Sequence, residues 1–171
     1  MENVFTERKA QLLTLEQSYR TTIEIMEGAN KVVSKIKSAN MPLAKPVIRH
    51  GDNIELIEKG NFKEIVSDIE SKIPDLKKQN YRSIAIICKS ISECKTIHSF
   101  FKKGENCPHI ITGKEDEYKG GIVIVPSYLS KGLEFDVVFI ANASDSVYRY
   151  NDLDAKLLYV AMTRPLHKLY I

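Results

Sequence analysis

The stretch from Gly121 to Ile171 limits the fold more than any other part of the chain. It reads GIVIVPSYLSKGLEFDVVFI, a short polar break, then NDLDAKLLYVAMTRPLHKLYI. Ile122 to Val125 and Asp136 to Ala141 are apolar runs bounded by turn signals, among them Lys131-Gly132, and such runs are strands covered on both faces. A helix starting at Asn151 and a final strand follow, with Leu153, Leu157, Val160 and Ala161 as the helix's expected buried stripe. Strand, crossover, strand, helix, strand is the grammar of a parallel α/β sheet with helices on both faces. Ligands of such sheets gather at the carboxyl ends of the strands, which directs attention to Ser127, Lys131, Gly132, Glu134 and Arg164.

The upstream half extends the same pattern. Leu12 to Leu15 reads as a short strand. Thr21 to Glu24 has the form of a capping box, with Thr21 as N-cap, so a helix is expected from about Thr22. Its core face would be Ile25, Ala29, Val32, Val33 and Ile36, and the Asn40 to Pro46 segment would end it. Tyr19 and Arg20 then lie at the mouth of a helix, where free amides favour an anion; as bare residues, a packing tyrosine and a solvated arginine are the plainer account of them. Val47 to Lys59 alternates loosely around Gly51-Asp52-Asn53, which suggests a hairpin with Ile54 and Leu56 on one side. Phe62 to Gln79 is a helix with Ile65, Ile69 and Ile73 on one stripe and Pro74 set to kink or divide it. Ser83 to Cys88 is a central parallel strand, Ser92 to Lys102 its helix, and His109 to Thr112 a further short strand.

Length and chemistry narrow the class. A chain of 171 residues with 43% hydrophobic and 27% charged residues is one domain with a real core. Its net charge of +3 permits a local basic groove without announcing nucleic acid. Cys88, Cys94 and Cys107 lack paired C-x-x-C spacing, and His50, His98, His109 and His167 form no ligand cluster, so no metal site is expected and the thiols read as those of a cytoplasmic protein. No signal sequence opens the chain and no apolar run approaches the roughly 20 residues of a bilayer span, which excludes a membrane role. The chain stops at Leu169-Tyr170-Ile171, inside a strand-like run, as an excised fragment would.

SKGLEFDVVFI followed by KLLYVAMTR resembles motifs V and VI of the superfamily 1 helicases of the UvrD, Rep and PcrA type, and LEQSYRTTIEI at Leu15 to Ile25 is similar to their motif IV. The three occur in the family's order over most of the chain. SIAIICKS resembles motif IVa, with Lys89 where the family has arginine, a substitution that loses the guanidinium fork.

The resemblance implies that residues 1–171 are the second, C-terminal RecA-like domain of an ATP-dependent DNA helicase. Such a domain completes an ATP site shared with an N-terminal RecA-like domain, which holds the phosphates and Mg2+. The P-loop that would do so is absent here; Gly113-Lys114 is the nearest approach and lacks the upstream glycine and the hydroxyl. The chain alone is therefore expected to be inactive. By the same resemblance Tyr19 stacks on the base, Arg20 reaches the γ-phosphate, Glu134 takes the ribose hydroxyl and Arg164 is the arginine finger, a group worth roughly 10³ to 10⁵ in rate. Gly132 permits close backbone approach.

Each role has a plainer competitor. Arg164 could satisfy carbonyls of the last helical turn, and Glu134 could pair with Lys131. Single-stranded DNA contacts are expected from Lys89, Ser90, Ser127, Tyr128 and Lys131, although a solvated lysine and a packed tyrosine explain Lys89 and Tyr128 as readily.

Three departures from the family pattern stand out. Pro126-Ser127-Tyr128 replaces T-x-H, Pro165 replaces alanine, and only about 20 residues from Phe101 to Gly121 occupy the place of a helical accessory domain. The YLSKGLEFD and KLLYVAMTRPLH wording is similar to the HelD group, whose members act on bacterial RNA polymerase; that implies an alternative partner and an ATP-switched contact without unwinding. A metal nuclease built on Asp145, Asp152 and Asp154 is disfavoured, because helix capping explains those acids.

Overall fold

A computed structural model describes residues 17, 18, 20–35, 43–46, 49–114 and 120–171. The strand expected at Leu12 to Leu15, Tyr19, Ile36 and residues 40–42 of the Asn40 to Pro46 helix stop lie outside them. Strand β1 (Gln17–Ser18) leads into α1 (Ile23–Ser34) and pairs in parallel with β2 (Lys45–Pro46). The chain continues through α2 (Phe62–Lys78), β3 (Ser83–Cys88), α3 (Ile91–His98) and β4 (His109–Ile110). It closes with β5 (Gly121–Pro126), a 3-10 turn at Ser127–Leu129, β6 (Phe135–Ile140), α4 (Asp152–Met162) and β7 (Pro165–Tyr170).

Five strands form one sheet in the order β4-β5-β3-β6-β7, every pairing parallel. The run SIAIIC takes the centre, where both faces are covered and a continuous apolar sequence is required. Alternation divides it. Ile84, Ile86 and Cys88 join Val66, Ile69, Ile73, Leu76 and Ile97 of α2 and α3 on one face, while Ala85 and Ile87 join Ile25, Ala29, Ala161 and Met162 of α1 and α4 on the other. The fold is the expected α/β, RecA-like class with helices on both sides.

Four local expectations need correcting. Thr22, not Thr21, caps α1, its hydroxyl accepting from the Ile25 amide at 3.5 Å. Glu24 does not close the box on the Thr21 amide; His50 Nδ1 and the Gly51 amide lie 2.8 and 2.9 Å from its carboxylate. Those bonds, led by the one to His50, hold the Glu24 carboxyl below its ordinary range.

Residues 49–57 form no hairpin. They run once along the open edge of β7, where the Glu55 amide donates to Leu169 O and the Ile171 amide donates to Glu55 O. Ile54 packs on the core while Leu56 is exposed. A covered edge cannot pair with a second molecule.

Pro74 does not divide α2. An interior proline costs about 3 kcal/mol, but Ile69, Ile73 and Leu76 around it are buried, and each contributes about 1.5–3 kcal/mol by leaving water. Finally, the buried residues of α4 are Asp154, Ala155, Ala161 and Met162, and Leu153 is exposed. A carboxylate inside that face is the first sign of chemistry at the helix start.

Candidate functional site

Two rims of the sheet carry the polar residues. Segment 127–134 crosses back over one face, with Leu129 and Leu133 packed on the core, and delivers Glu134 to the amino end of β6. Helix α4 makes the same return and delivers Arg164 to the amino end of β7. The two positions abut, since the Phe135 amide donates to Arg164 O at 3.2 Å. Arg20, just before α1, places Nε 2.5 Å from Glu134 Oε1. Arg20, Glu134 and Arg164 thus meet at one place, and it is the amino rim, not the carboxyl rim that general experience with parallel sheets indicates. That rule describes a domain holding its own ligand; a group that reaches across a cleft is not bound by it.

Arg164 is 8% exposed. Its Nε donates to Val160 O at 2.9 Å, Nη1 to Leu133 O at 3.4 Å and Nη2 to Thr163 Oγ1 at 3.2 Å. It therefore does satisfy carbonyls of the last turn, but a guanidinium has five N–H groups and these bonds use three. Burial foremost, then the Arg20 guanidinium, brings its pKa down to about 10, with Glu134 opposing; it stays a cation at neutral pH. The result is a fixed fork with donors to spare, next to a second guanidinium.

The Arg20–Glu134 pair, 36% and 45% exposed, does not involve Lys131. In water such a pair is worth at most about 1 kcal/mol, so an arriving ligand separates it easily. Gly132 has φ +87°, and a Cβ built there meets nothing within 4 Å. Backbone strain alone should make Gly132→Ala less stable by about 1–2 kcal/mol, read as a lower urea midpoint; an unchanged midpoint would mean that the turn relaxes.

The carboxyl ends of β3 and β5 hold Lys89, Ser90, Ser127 and Tyr128. Lys89 is not a solvated strand end. Its Nζ lies 2.7 Å from Asp154 Oδ1, donates to Val147 O and sits 5.5 Å from the Tyr148 ring centroid. Asp154 also accepts from the Arg149 amide at 2.8 Å and Asn151 Nδ2 at 3.2 Å. Burial pushes its carboxyl up, yet Lys89 and these donors together hold it below the usual carboxylate range. Ser90 caps α3, accepting from the Glu93 amide. Ser127 is fully buried, its hydroxyl donating to Lys89 O at 3.4 Å. Tyr128 is 53% exposed, and Lys131 is exposed.

Sequence reading missed Asp154 as the partner of Lys89, although Asn151-x-x-Asp154 has capping-box spacing and accounts for its place in the first turn. Among the described residues no cluster of three or more His, Cys, Asp or Glu could hold a metal ion, and no helix is long and apolar enough to cross a membrane.

Comparison with known proteins gives the fold a context. The model of the UvrD-like helicase C-terminal domain matches residues 13–120, and a second model of the same description matches residues 121–171. Among solved structures, the chain is similar to the C-terminal domain of a possible DNA helicase from Lactobacillus plantarum WCFS1, at 28% identity and a TM-score of 0.70, over 90% of this chain and 85% of that one. No curated protein sequence matches.

Proposed function

We propose, because the chain belongs to the family of UvrD-like helicase C-terminal domains, that it is the second motor domain of an ATP-dependent DNA helicase and completes an ATP site shared with an N-terminal RecA-like domain. The observation that carries this is the meeting of Arg20, Glu134 and Arg164 at one rim, from three distant parts of the chain. Two guanidinium groups around one carboxylate leave net positive charge, and they suit the equatorial oxygens of a phosphoryl group in transfer.

In this reading ATP is the substrate and Mg2+ is held by the partner domain. Arg164 is the finger, its orientation fixed by Val160 O and Leu133 O. Arg20 takes the γ-phosphate, while Glu134, released from Arg20, accepts the ribose hydroxyl. Tyr19 is assigned the base, and Gly132 lets the backbone of the turn come close. In this reading the domain is residues 1–171, and among the described residues α3 is the one helix between β3 and β5.

The chain alone is expected to show no ATP turnover in a phosphate-release assay, and turnover is expected to appear with the N-terminal domain present. Brisk hydrolysis by the chain alone would overturn the shared site. A second reading, in which ATP switches a contact with RNA polymerase and no duplex is opened, is favoured by one observation: Pro126, in the threonine's place of the family's DNA-gripping T-x-H, has neither a hydroxyl nor an amide N–H. Strand-separation and polymerase pull-down assays on the complete protein discriminate the two.

A further inference from the structure

Beside the residues considered so far, the carboxyl rim carries a cleft of about 260 Å³ between the end of α1 and the start of α4. Val32 and Leu158 line it, and Lys31, Lys35, Arg149 and Tyr150 surround it, with Asp145 as the one carboxylate among the described residues that line it. No motif of the sequence singles it out.

We propose that this cleft binds one nucleotide of a single-stranded nucleic acid, the base stacked on Tyr150 and the flanking phosphates met by Lys31, Lys35 and Arg149. Tyr150 is 77% exposed, yet it is not loose. Its hydroxyl donates to Lys35 O at the end of α1, and the Asn151 amide donates to Arg149 O at 2.7 Å. A ring pinned at its hydroxyl and open over most of its surface is a stacking platform already in place, so little entropy is lost when a base arrives.

Among the described residues the cations are available too. Tyr150 satisfies a carbonyl at the α1 terminus, and among the described residues no carboxylate pairs with the side chains of Lys31, Lys35 or Arg149. Three cations against Asp145 leave an excess of positive charge. The volume falls below the roughly 300–1,000 Å³ of a pocket that encloses a whole small ligand, which suits one unit of a chain passing across it. An acidic peptide would use the cations and leave the ring idle.

The inference rests on the carboxyl rim being the nucleic-acid side, and its test needs neither ATP nor turnover. Binding of fluorescein-labelled oligo-dT to the chain, followed by anisotropy at several salt concentrations, is the measurement. Tyr150→Ala should weaken binding by about 5- to 150-fold, the share of one stacked base, while Tyr150→Phe, which keeps the ring and loses its hydroxyl anchor, should weaken it clearly less than Tyr150→Ala does. Replacing Lys31, Lys35 and Arg149 together by glutamine should flatten the slope of log K against log salt by about 1.4, since one nucleotide has two flanking phosphates and each one neutralised on a single strand contributes about 0.7.

Unchanged affinity and slope in these variants would overturn the cleft. If Tyr128→Ala and Lys131→Gln then weakened binding instead, the nucleic-acid side would stand without it. Competition by poly-glutamate as effective as that by unlabelled oligo-dT, together with indifference to Tyr150→Ala, would replace the nucleic acid with an acidic protein. Absence of oligo-dT binding, in the chain and in the two-domain protein alike, would overturn the proposal outright.

Discussion

Replacing Arg164 by alanine in the two-domain protein is expected to lower ATP turnover by about 10³- to 10⁵-fold and to leave nucleotide affinity within a few fold. The separation follows from where charge develops. In the proposed shared site, ground-state ATP is held mainly by the partner domain, whereas an arginine finger meets charge that appears only during transfer, so its loss falls on kcat.

The guanidinium also joins Val160 O, Leu133 O and Thr163 within the fold. The variant should therefore be somewhat less stable, and turnover must be measured well below its unfolding midpoint. Arg164→Lys keeps a cation but loses the fork that grips two carbonyls while presenting further donors, so it too should turn over slowly. Single-turnover rates with a fluorescent nucleotide to report binding make the check. Equal losses in affinity and rate would indicate a ground-state contact.

Lys89→Met should destabilise the chain by roughly 3 kcal/mol, because the pair is 28% and 7% exposed and the substitution leaves the Asp154 carboxylate buried without its cation. In a domain of this size that lowers the thermal midpoint by about 6–12 °C. Adding Asp154→Asn should recover part of the loss by removing the orphaned charge. The pH dependence has a definite sign. With Lys89 in place, the folded-state pKa of Asp154 is depressed, so its contribution is complete above the unfolded value near 3.9 and is lost as pH falls through the lower folded value. Asp154→Asn alone should thus be less stable than the parent at neutral pH and lose less of its stability on acidification. A midpoint unmoved by Lys89→Met would show the pair to be a surface contact.

The sheet was legible because burial on both faces demands unbroken apolar runs, and Ile122–Val125 and Ser83–Cys88 have no other reading of that length. The residues of the amino rim were legible as motif words around Arg20, Glu134 and Arg164, but their rim was not. Its location depends on the crossover at 127–134, where Leu129 and Leu133 pack along one face and return the chain to the start of β6.

The hairpin expected at 47–59 failed because Glu55 bonds to Leu169 and Ile171, more than a hundred positions away, and alternation within a segment carries no trace of so distant a partner. Lys89 read as solvated for the same reason. Its partner lies on α4, and the aliphatic stripe drawn there put Leu153 inside where Asp154 belongs.

The most direct test is a structure of the two-domain protein holding a transition-state analogue of phosphoryl transfer. The Arg164 and Arg20 guanidinium groups should stand within about 2.7–3.1 Å of the analogue's equatorial oxygens, with Glu134 turned from Arg20 to the ribose. An analogue seated instead at the carboxyl ends of β3 and β5, with all three residues facing solvent, would contradict the account.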